Sequence, residues 1–103
     1  MGSDRVSVLF VCLGNICRSP MSEGLMRALG ASRGLGDLLV CDSAGTAAYH
    51  IGERADARTR ALLASRGVHY DGRARQVRDD DFGRFDWILA MDRANFDALI
   101  RRC

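Results

Sequence analysis

An apolar run that leads at once into a short loop and a helix start constrains this chain more than any other feature. Val6–Val11 is predicted to be a buried parallel strand, because the run is apolar and β-rich rather than alternating. Cys12 ends it, and Ser19-Pro20 then indicates a helix start, with Ser19 as the cap and Pro20 at the first helical position. Backbone N–H groups of such a turn and helix N-terminus converge on one centre. The sequence therefore predicts an anion-binding loop.

This loop has a cysteine at one end and an arginine at the other, Cys12 and Arg18. A thiolate is a strong nucleophile, and the planar guanidinium of arginine binds two oxygens of a phosphate or a similar oxyanion. Together they suit attack by sulfur on a bound phosphorus atom. The bare Cys-x5-Arg spacing is weak evidence, since a buried strand-end cysteine with a packing role is the simpler interpretation of Cys12 alone.

The whole run is far more specific. Residues 11–23 have the sequence Val-Cys-Leu-Gly-Asn-Ile-Cys-Arg-Ser-Pro-Met-Ser-Glu, which resembles the signature of the low-molecular-weight protein-tyrosine-phosphatase family. The resemblance extends from Val6 to Leu99. Its further matches are Asp42-Ser43-Ala44-Gly45-Thr46, Tyr49-His50-Ile51-Gly52, Asp56, Arg58, Ala74-Arg75-Gln76, Phe85-Asp86-Trp87-Ile88-Leu89-Ala90-Met91-Asp92 and Asn95.

The resemblance implies a role for each residue of the loop. Cys12 would be the nucleophile that becomes phospho-cysteine, and Arg18 would bind two phosphate oxygens and stabilise the transition state. From the residues themselves, Gly14 lets the backbone curl close to the anion, and Asn15 tolerates a left-handed conformation. The positions expected to bind phosphate or the substrate are Leu13, Gly14, Asn15, Ile16, Cys17, Arg18, Ser19 and Tyr49.

Three of these assignments, and that of the supporting residue Ser43, have alternatives. Ser19 is a helix cap, a hydroxyl donor to Cys12, or both. Ser43 matches the family position that holds Asn15, but a strand-end turn residue would look the same. Tyr49 matches an aromatic wall that would favour phosphotyrosine, and otherwise is a half-exposed loop residue. Cys17 either forms a disulfide with Cys12 under oxidation or is a small apolar residue at the base of the loop.

Composition is that of one ordinary globular domain, 1–103, with 48% hydrophobic and 27% charged residues. All 15 basic residues are arginine, spread along the chain and mixed with aspartate, so no nucleic-acid-binding stripe is predicted. No apolar run approaches the roughly 20 residues of a membrane span. Met1–Arg5 lacks the apolar region of a signal peptide, which predicts a cytoplasmic protein. The cysteine spacings match no zinc pattern, and we expect neither a metal nor a cofactor.

Strands alternating with helices predict an α/β fold, a doubly wound parallel sheet with helices on both faces. The resemblance implies the same fold, with the Cys12 strand at its centre. The loops after Cys12 and Asp42 would meet at one edge of the sheet. The other predicted strands are Leu38–Ser43 and Phe85–Met91, and a single helical turn is predicted at Asp79–Phe82. Three helices are predicted at Pro20–Gly30, Asp56–Arg66 and Arg93–Arg102, the last capped by Asp92. The residues expected on one face are Met21, Leu25, Ala28 and Leu29 in the first helix and Ala57, Ala61 and Ala64 in the second, and Phe96, Leu99 and Ile100 of the third should face inward.

The resemblance has one gap. Family members carry a general acid in an Asp-Pro pair, but the single proline here is Pro20, and the last strand and helix of the family are absent. We therefore expect a domain that is incomplete at its C-terminus. Strand Phe85–Met91 would then be an exposed sheet edge that allows self-association.

The leading hypothesis is a phosphatase acting on phosphotyrosine-bearing proteins and binding inorganic phosphate. One alternative is an arsenate reductase of the same fold. That reaction needs further cysteines to resolve the arsenic adduct, and Cys41 and Cys103 are isolated in the sequence. Another is a catalytically weak phosphotyrosine- or anion-binding module. His50 and His69 match no catalytic position, and we interpret both as structural or surface residues. Asp92 and Asp42 are the carboxylates to test first if an acid lies within these residues.

Overall fold

A three-stranded parallel sheet forms the centre of the fold in a computed structural model that describes residues 5–102. The strand order is β2-β1-β3, so the strand that ends in Cys12 is central, as predicted. Residue pairing runs from Val6 opposite Leu39 to Cys12 opposite Gly45. The elements in chain order are β1 (Val6–Cys12), α1 (Arg18–Ser32), β2 (Leu39–Gly45), α2 (Ala57–Ser65), α3 (Asp81–Arg84), β3 (Trp87–Ala90) and α4 (Arg93–Arg102).

Helices cover both faces of the sheet, which confirms the doubly wound fold. The inward side chains of β1 alternate between two separate cores. Leu9 and Val11 pack on the face covered by Leu99 of α4. Val8 and Phe10 pack on the opposite face, against Met26 of α1. Because both faces of β1 are buried from Val8 to Cys12, this part of the strand is a continuous apolar run.

Helix α1 begins earlier than predicted. Its first residue is Arg18, and Cys17 occupies the N-cap without a side-chain hydrogen bond. The assignment of Ser19 as the cap was therefore wrong, and Pro20 is the third helical residue. The Ser19 side chain is fully buried and turned to Cys12 instead. The first turn of α1 is thus part of the Cys12 loop, with the Ser19 side chain turned into it.

The inward face of α1 also differs from the prediction. Leu25 and Leu29 are exposed, whereas Glu23, Gly24 and Gly30 are buried. A Cβ atom on Gly24 would lie 3.0 Å from the side chain of Leu63. The glycines let α1 approach its neighbours closely. The spacing of apolar residues predicted the wrong inward face, because the buried carboxylate of Glu23 lies at the centre of the face that packs inward.

Helices α2 and α4 bury fewer apolar residues than expected. Thr59 and Leu63 are the buried residues of α2, not its alanines, and Asp56 caps it by accepting from the backbone N–H of Arg58. In α4 only Leu99 of the three predicted apolar side chains is buried. Phe96 and Ile100 are exposed and line a surface groove with Phe82, Ile88 and Leu99.

Several boundaries differ from the prediction. β2 extends to Gly45, α3 begins at Asp81 rather than Asp79, and β3 is limited to Trp87–Ala90. The strand begins after Asp86, whose carboxylate turns to β1 and accepts from the backbone N–H of Ser7 at 2.8 Å. Within the residues that the structure describes, no helix has the length and apolar character to cross a membrane.

Candidate active site

The loop between β1 and α1 lies at the carboxyl end of the central strand. Thr46 donates its backbone N–H to the carbonyl of Cys12 at 2.9 Å, and Ala47 donates to that of Leu13 at 3.0 Å. These bonds join the loop to the segment that follows β2, as expected for the edge where parallel strands end. The loop surrounds a pocket of about 200 Å³ lined by Cys12, Leu13, Gly14, Ile16, Cys17, Arg18 and His50.

Cys12 lies at the base of this pocket and is buried. Its Sγ atom is 3.0 Å from the hydroxyl oxygen of Ser19 and accepts the backbone N–H of Asn15 at 3.2 Å. Two hydrogen-bonding groups thus converge on the Cys12 sulfur at the base of the pocket.

Asn15 holds the loop in shape. Its φ of 60° is the only positive value of a non-glycine residue in the described part of the chain. The side-chain Nδ2 donates to the hydroxyls of Ser19 and Ser43, both at 2.9 Å, and Oδ1 accepts the backbone N–H of Arg75 at 2.8 Å. Because the backbone N–H can only donate, it fixes which end of the amide faces the two serines. Ser19 then accepts from Asn15, and its own hydrogen is free for Cys12.

A second row of polar residues supports Ser43. Ser43 donates to the Oε1 atom of Glu23 at 2.7 Å, and the Tyr70 hydroxyl donates to the same oxygen at 2.7 Å. Arg27 forms an ion pair with the other oxygen of Glu23. Glu23 and Tyr70 are both buried, so these bonds lie in a low-dielectric environment where they are strong.

Two glycines make room for the loop. A Cβ atom on Gly45 would lie 2.7 Å from the carbonyl oxygen of Leu13, closer than such atoms approach. A Cβ atom on Gly14 would lie 2.9 Å from the His50 ring. Gly14 thus lets a neighbouring side chain approach the loop, and Gly45 lets two backbones pass at close range.

Two carboxylates near the loop are engaged by arginines. Arg18 donates to Asp92 at 2.9 Å, and Asp92 also caps α4 by accepting the backbone N–H of Asn95. These bonds, the Asn95 N–H first and Arg18 second, hold the pKa of Asp92 below its usual value. Asp42 accepts from Arg75 at 3.1 Å. Asp92 is thus the helix cap that the sequence predicted, and both carboxylates are hydrogen-bond acceptors.

The segment after β2 contributes a different residue from the one predicted. Tyr49 is 74% exposed and is not among the residues that line the pocket. His50 lines it instead, with Nδ1 3.1 Å from the Oε1 atom of Glu53, where the sequence had indicated only a structural or surface residue. His69 is exposed beside α2, as expected.

Sequence reasoning missed three residues of the site. Glu23 follows Ser19 by four positions, which places both on one face of α1 and could have identified it. Arg75 lay within a matched motif but had no assigned role, because its contribution is a backbone N–H. Tyr70 carried no signal, since a lone tyrosine in an irregular segment predicts no partner.

The structure offers no metal site, since residues 5–102 contain no group of three His, Cys, Asp or Glu side chains arranged to hold an ion. Cys41 is buried in the core beneath α1, and this burial raises the pKa of its thiol. Cys103 lies outside the described residues. Cys12 and Cys17 are both free thiols.

Comparison with known proteins agrees with this geometry. A family model described as low molecular weight phosphotyrosine protein phosphatase matches residues 7–102. The low molecular weight protein-tyrosine-phosphatase of Streptomyces coelicolor is 50% identical over 91% of this chain and 57% of its own length. The chain spans about three fifths of the length of the curated relatives it matches.

Solved structures share the fold. YfkJ of Bacillus subtilis has a TM-score of 0.93 and 46% identity, over 96% of this chain and 63% of that one. A protein tyrosine phosphatase of Entamoeba histolytica has a TM-score of 0.90 and 47% identity, over 95% and 63% of the two chains. With the Cys12 loop in the same fold, the chain belongs to the low molecular weight phosphotyrosine protein phosphatase family.

Proposed function

We propose that this protein is a cysteine-dependent phosphatase that hydrolyses phosphotyrosine in proteins through a phospho-cysteine intermediate. The observation that carries the proposal is the Cys12 sulfur, which meets the Ser19 hydroxyl and the Asn15 N–H at the base of a pocket of about 200 Å³. That volume suits a phosphoryl group, and the sulfur lies where it can attack phosphorus.

The reaction would take two steps. The Cys12 thiolate attacks phosphorus, a sulfur–phosphorus bond forms, and the bond from phosphorus to the tyrosyl oxygen breaks with its electron pair leaving on that oxygen. Water then attacks the phosphorus of the phospho-cysteine, the sulfur–phosphorus bond breaks with its electron pair returning to sulfur, and a proton of the water passes to solvent. Inorganic phosphate is released and the thiolate is restored. Asp92 and Asp42 both accept from arginines, so neither is assigned to protonate the leaving oxygen.

Arg18 would supply the charge that binds the phosphoryl oxygens. In the structure its guanidinium pairs with Asp92, and the Arg18 side chain remains 54% exposed. Because exposed ion pairs contribute little free energy, the guanidinium can leave Asp92 and turn to a bound anion. The first turn of α1 adds backbone N–H groups to the same pocket, since the helix starts at Arg18. These donors would stabilise the charge that spreads over the oxygens in the transition state.

Substrate class is proposed from the relatives and from the segment after β2. The relatives are named as phosphotyrosine phosphatases, and the Entamoeba histolytica protein was solved with Hepes in its active site. Hepes carries a sulfonate, a tetrahedral oxyanion of the size of phosphate. Tyr49 is exposed beside His50, where its ring is free to contact the phenyl ring of a substrate.

Cys41 argues against the arsenate reductase alternative. Such chemistry needs further thiols that reach the adduct, and Cys41, buried in the core beneath α1, cannot be one of them, which leaves Cys17 alone among the described cysteines. A nucleophile that must stay a thiolate also favours a reducing compartment, so we propose the cytoplasm as the site of action.

The test is Cys12→Ser, assayed with an aryl phosphate whose leaving group is a stable anion and with a phosphotyrosyl peptide. We expect the variant to lose turnover while binding of inorganic phosphate, measured by calorimetry, survives in part, because the N–H groups and Arg18 remain. Cys41→Ala is the matched control and should keep its activity. Full turnover by Cys12→Ser would refute the mechanism, and phosphate binding without turnover in the parent chain would favour a binding module.

A further inference from the structure

A relay of hydrogen bonds leads from Cys12 through Ser19, Asn15 and Ser43 to Glu23 and ends at Tyr70. We propose that Tyr70 is a positioning residue for the nucleophile. Its hydroxyl holds Glu23 and Ser43 in place, and these two residues fix Asn15, whose backbone N–H contacts the Cys12 sulfur. This inference rests on the proposed phosphatase function only in what the positioned sulfur does, not in how it is held.

The relay has one direction. The backbone N–H of Arg75 fixes the Asn15 amide, so its Nδ2 must donate to Ser43. Ser43 accepts there and turns its own hydrogen to Glu23, which is an acceptor only. The position of Ser43 is therefore set by the position of the Glu23 carboxylate.

Tyr70 is the second neutral donor to the Oε1 atom of Glu23, beside Ser43. Burial raises the pKa of the Tyr70 hydroxyl well above its usual range, so it stays protonated and donates at 2.7 Å. The same hydroxyl lies 3.4 Å from Ser43 and closes a triangle of three buried polar groups. Arg27 binds the other oxygen of Glu23 from a partly exposed position. Without the Tyr70 hydroxyl, the Oε1 atom would keep Ser43 as its only donor within the described contacts.

Gly72 supplies the space for this arrangement. A Cβ atom at position 72 would lie 2.7 Å from the Tyr70 hydroxyl oxygen. The φ of Gly72 is not positive, so the backbone itself does not call for glycine there. Alanine at this position would press on the hydroxyl and on the adjoining ring carbons of Tyr70, the three atoms nearest to the added Cβ. Tyr70 and Gly72 thus form a matched pair, one providing the donor and the other its room.

The experiment compares Tyr70→Phe, Gly72→Ala and the control Gly83→Ala in the full chain. A Cβ atom on Gly83 would meet no side chain and no backbone outside its own helix and chain neighbours within 4 Å, and the φ of Gly83 is not positive, so its alanine variant tests the substitution alone. The main readout is the pH profile of Cys12 alkylation by iodoacetate, followed by tandem mass spectrometry on protein shown to be folded. We expect both variants to shift the alkylation profile to higher pH. Tyr70→Phe should lower kcat/KM about tenfold and Gly72→Ala less, since the loss of one hydrogen bond to a charged group changes an equilibrium by about that factor.

Alkylation separates this inference from the proposed function, because it reports on the sulfur without any substrate. Profiles of Tyr70→Phe and Gly72→Ala that coincide with that of Gly83→Ala would overturn the positioning role, even if the variants unfold more easily. A shifted profile would support it, even if the parent chain proves to bind phosphate without hydrolysing phosphotyrosine.

Discussion

At the scale of single residues, Cys12 and Cys17 lie on one short loop but differ in environment. Cys12 is buried with two donors, whereas Cys17 is exposed at the N-cap of α1. Mild peroxide should convert the Cys12 thiolate to a sulfenic acid, and the Cys17 thiol should condense with it, losing water and forming a disulfide. We expect inactivation that dithiothreitol reverses.

Mass spectrometry of peroxide-treated protein checks this prediction. Cys41 is an internal control, because its buried thiol with a raised pKa should stay reduced. Recovery of Cys12 as sulfinic or sulfonic acid, with Cys17 still a thiol, would show that the loop does not protect its nucleophile in this way.

At the scale of elements, the site depends on a segment with little regular structure. In the segment between α2 and α3, the backbone N–H of Arg75 donates to the Asn15 side chain, and the guanidinium of Arg75 forms an ion pair with Asp81 at 2.9 Å. Burial alone would raise the pKa of Asp81, but hydrogen bonds from Arg75 and from the backbone of Arg78 hold it below its usual value. The first residue of α3 therefore keeps the loop of β1 in shape from a distance.

Asp81→Asn should lower the free energy of unfolding by about 3 kcal/mol at pH 7, since it breaks a buried ion pair. A carboxylate with a depressed pKa stabilises the fold above its unfolded pKa of about 3.9 and loses this effect as the pH falls through the folded value. The difference from the parent chain should thus shrink below about pH 4. Urea unfolding at several pH values measures it, with exposed Asp80→Asn as the control. A difference independent of pH would show that the ion pair is not its source.

The comparison of sequence and structure is also clearest for elements. The strand–loop–helix at Cys12 and the cap at Asp92 were predictable, because a buried strand and an N-cap leave local patterns. The inward face of α1 was not, since Glu23 is buried only through partners on β2 and beyond it, Ser43 and Tyr70. Contacts between residues distant in sequence decided that face, and apolar periodicity does not record them.

At the scale of the whole molecule, β3 forms one edge of the sheet, and Trp87 on it is 61% exposed. An exposed apolar edge can pair with another copy. We predict that the 103-residue chain self-associates with rising concentration in sedimentation velocity, and that Trp87→Lys weakens this association. Leu62→Lys, at an exposed position of α2, is the matched control. Equal sedimentation of Trp87→Lys and the parent chain would place the contact elsewhere.

The central position of β1 also has a consequence for the time course of folding. β1 is made first, yet the bond from Ser7 to Asp86 spans 79 residues and that from Arg75 to Asn15 spans 60. Such long-range pairing makes a fold slow, because loop-closure entropy must be overcome before the contacts form. We therefore expect a nascent chain on the ribosome to carry the Cys12 thiol without its complete set of supporting contacts until most of the domain has emerged. The reactive sulfur is the first part of the site to be synthesised, and its protection is the last to be completed.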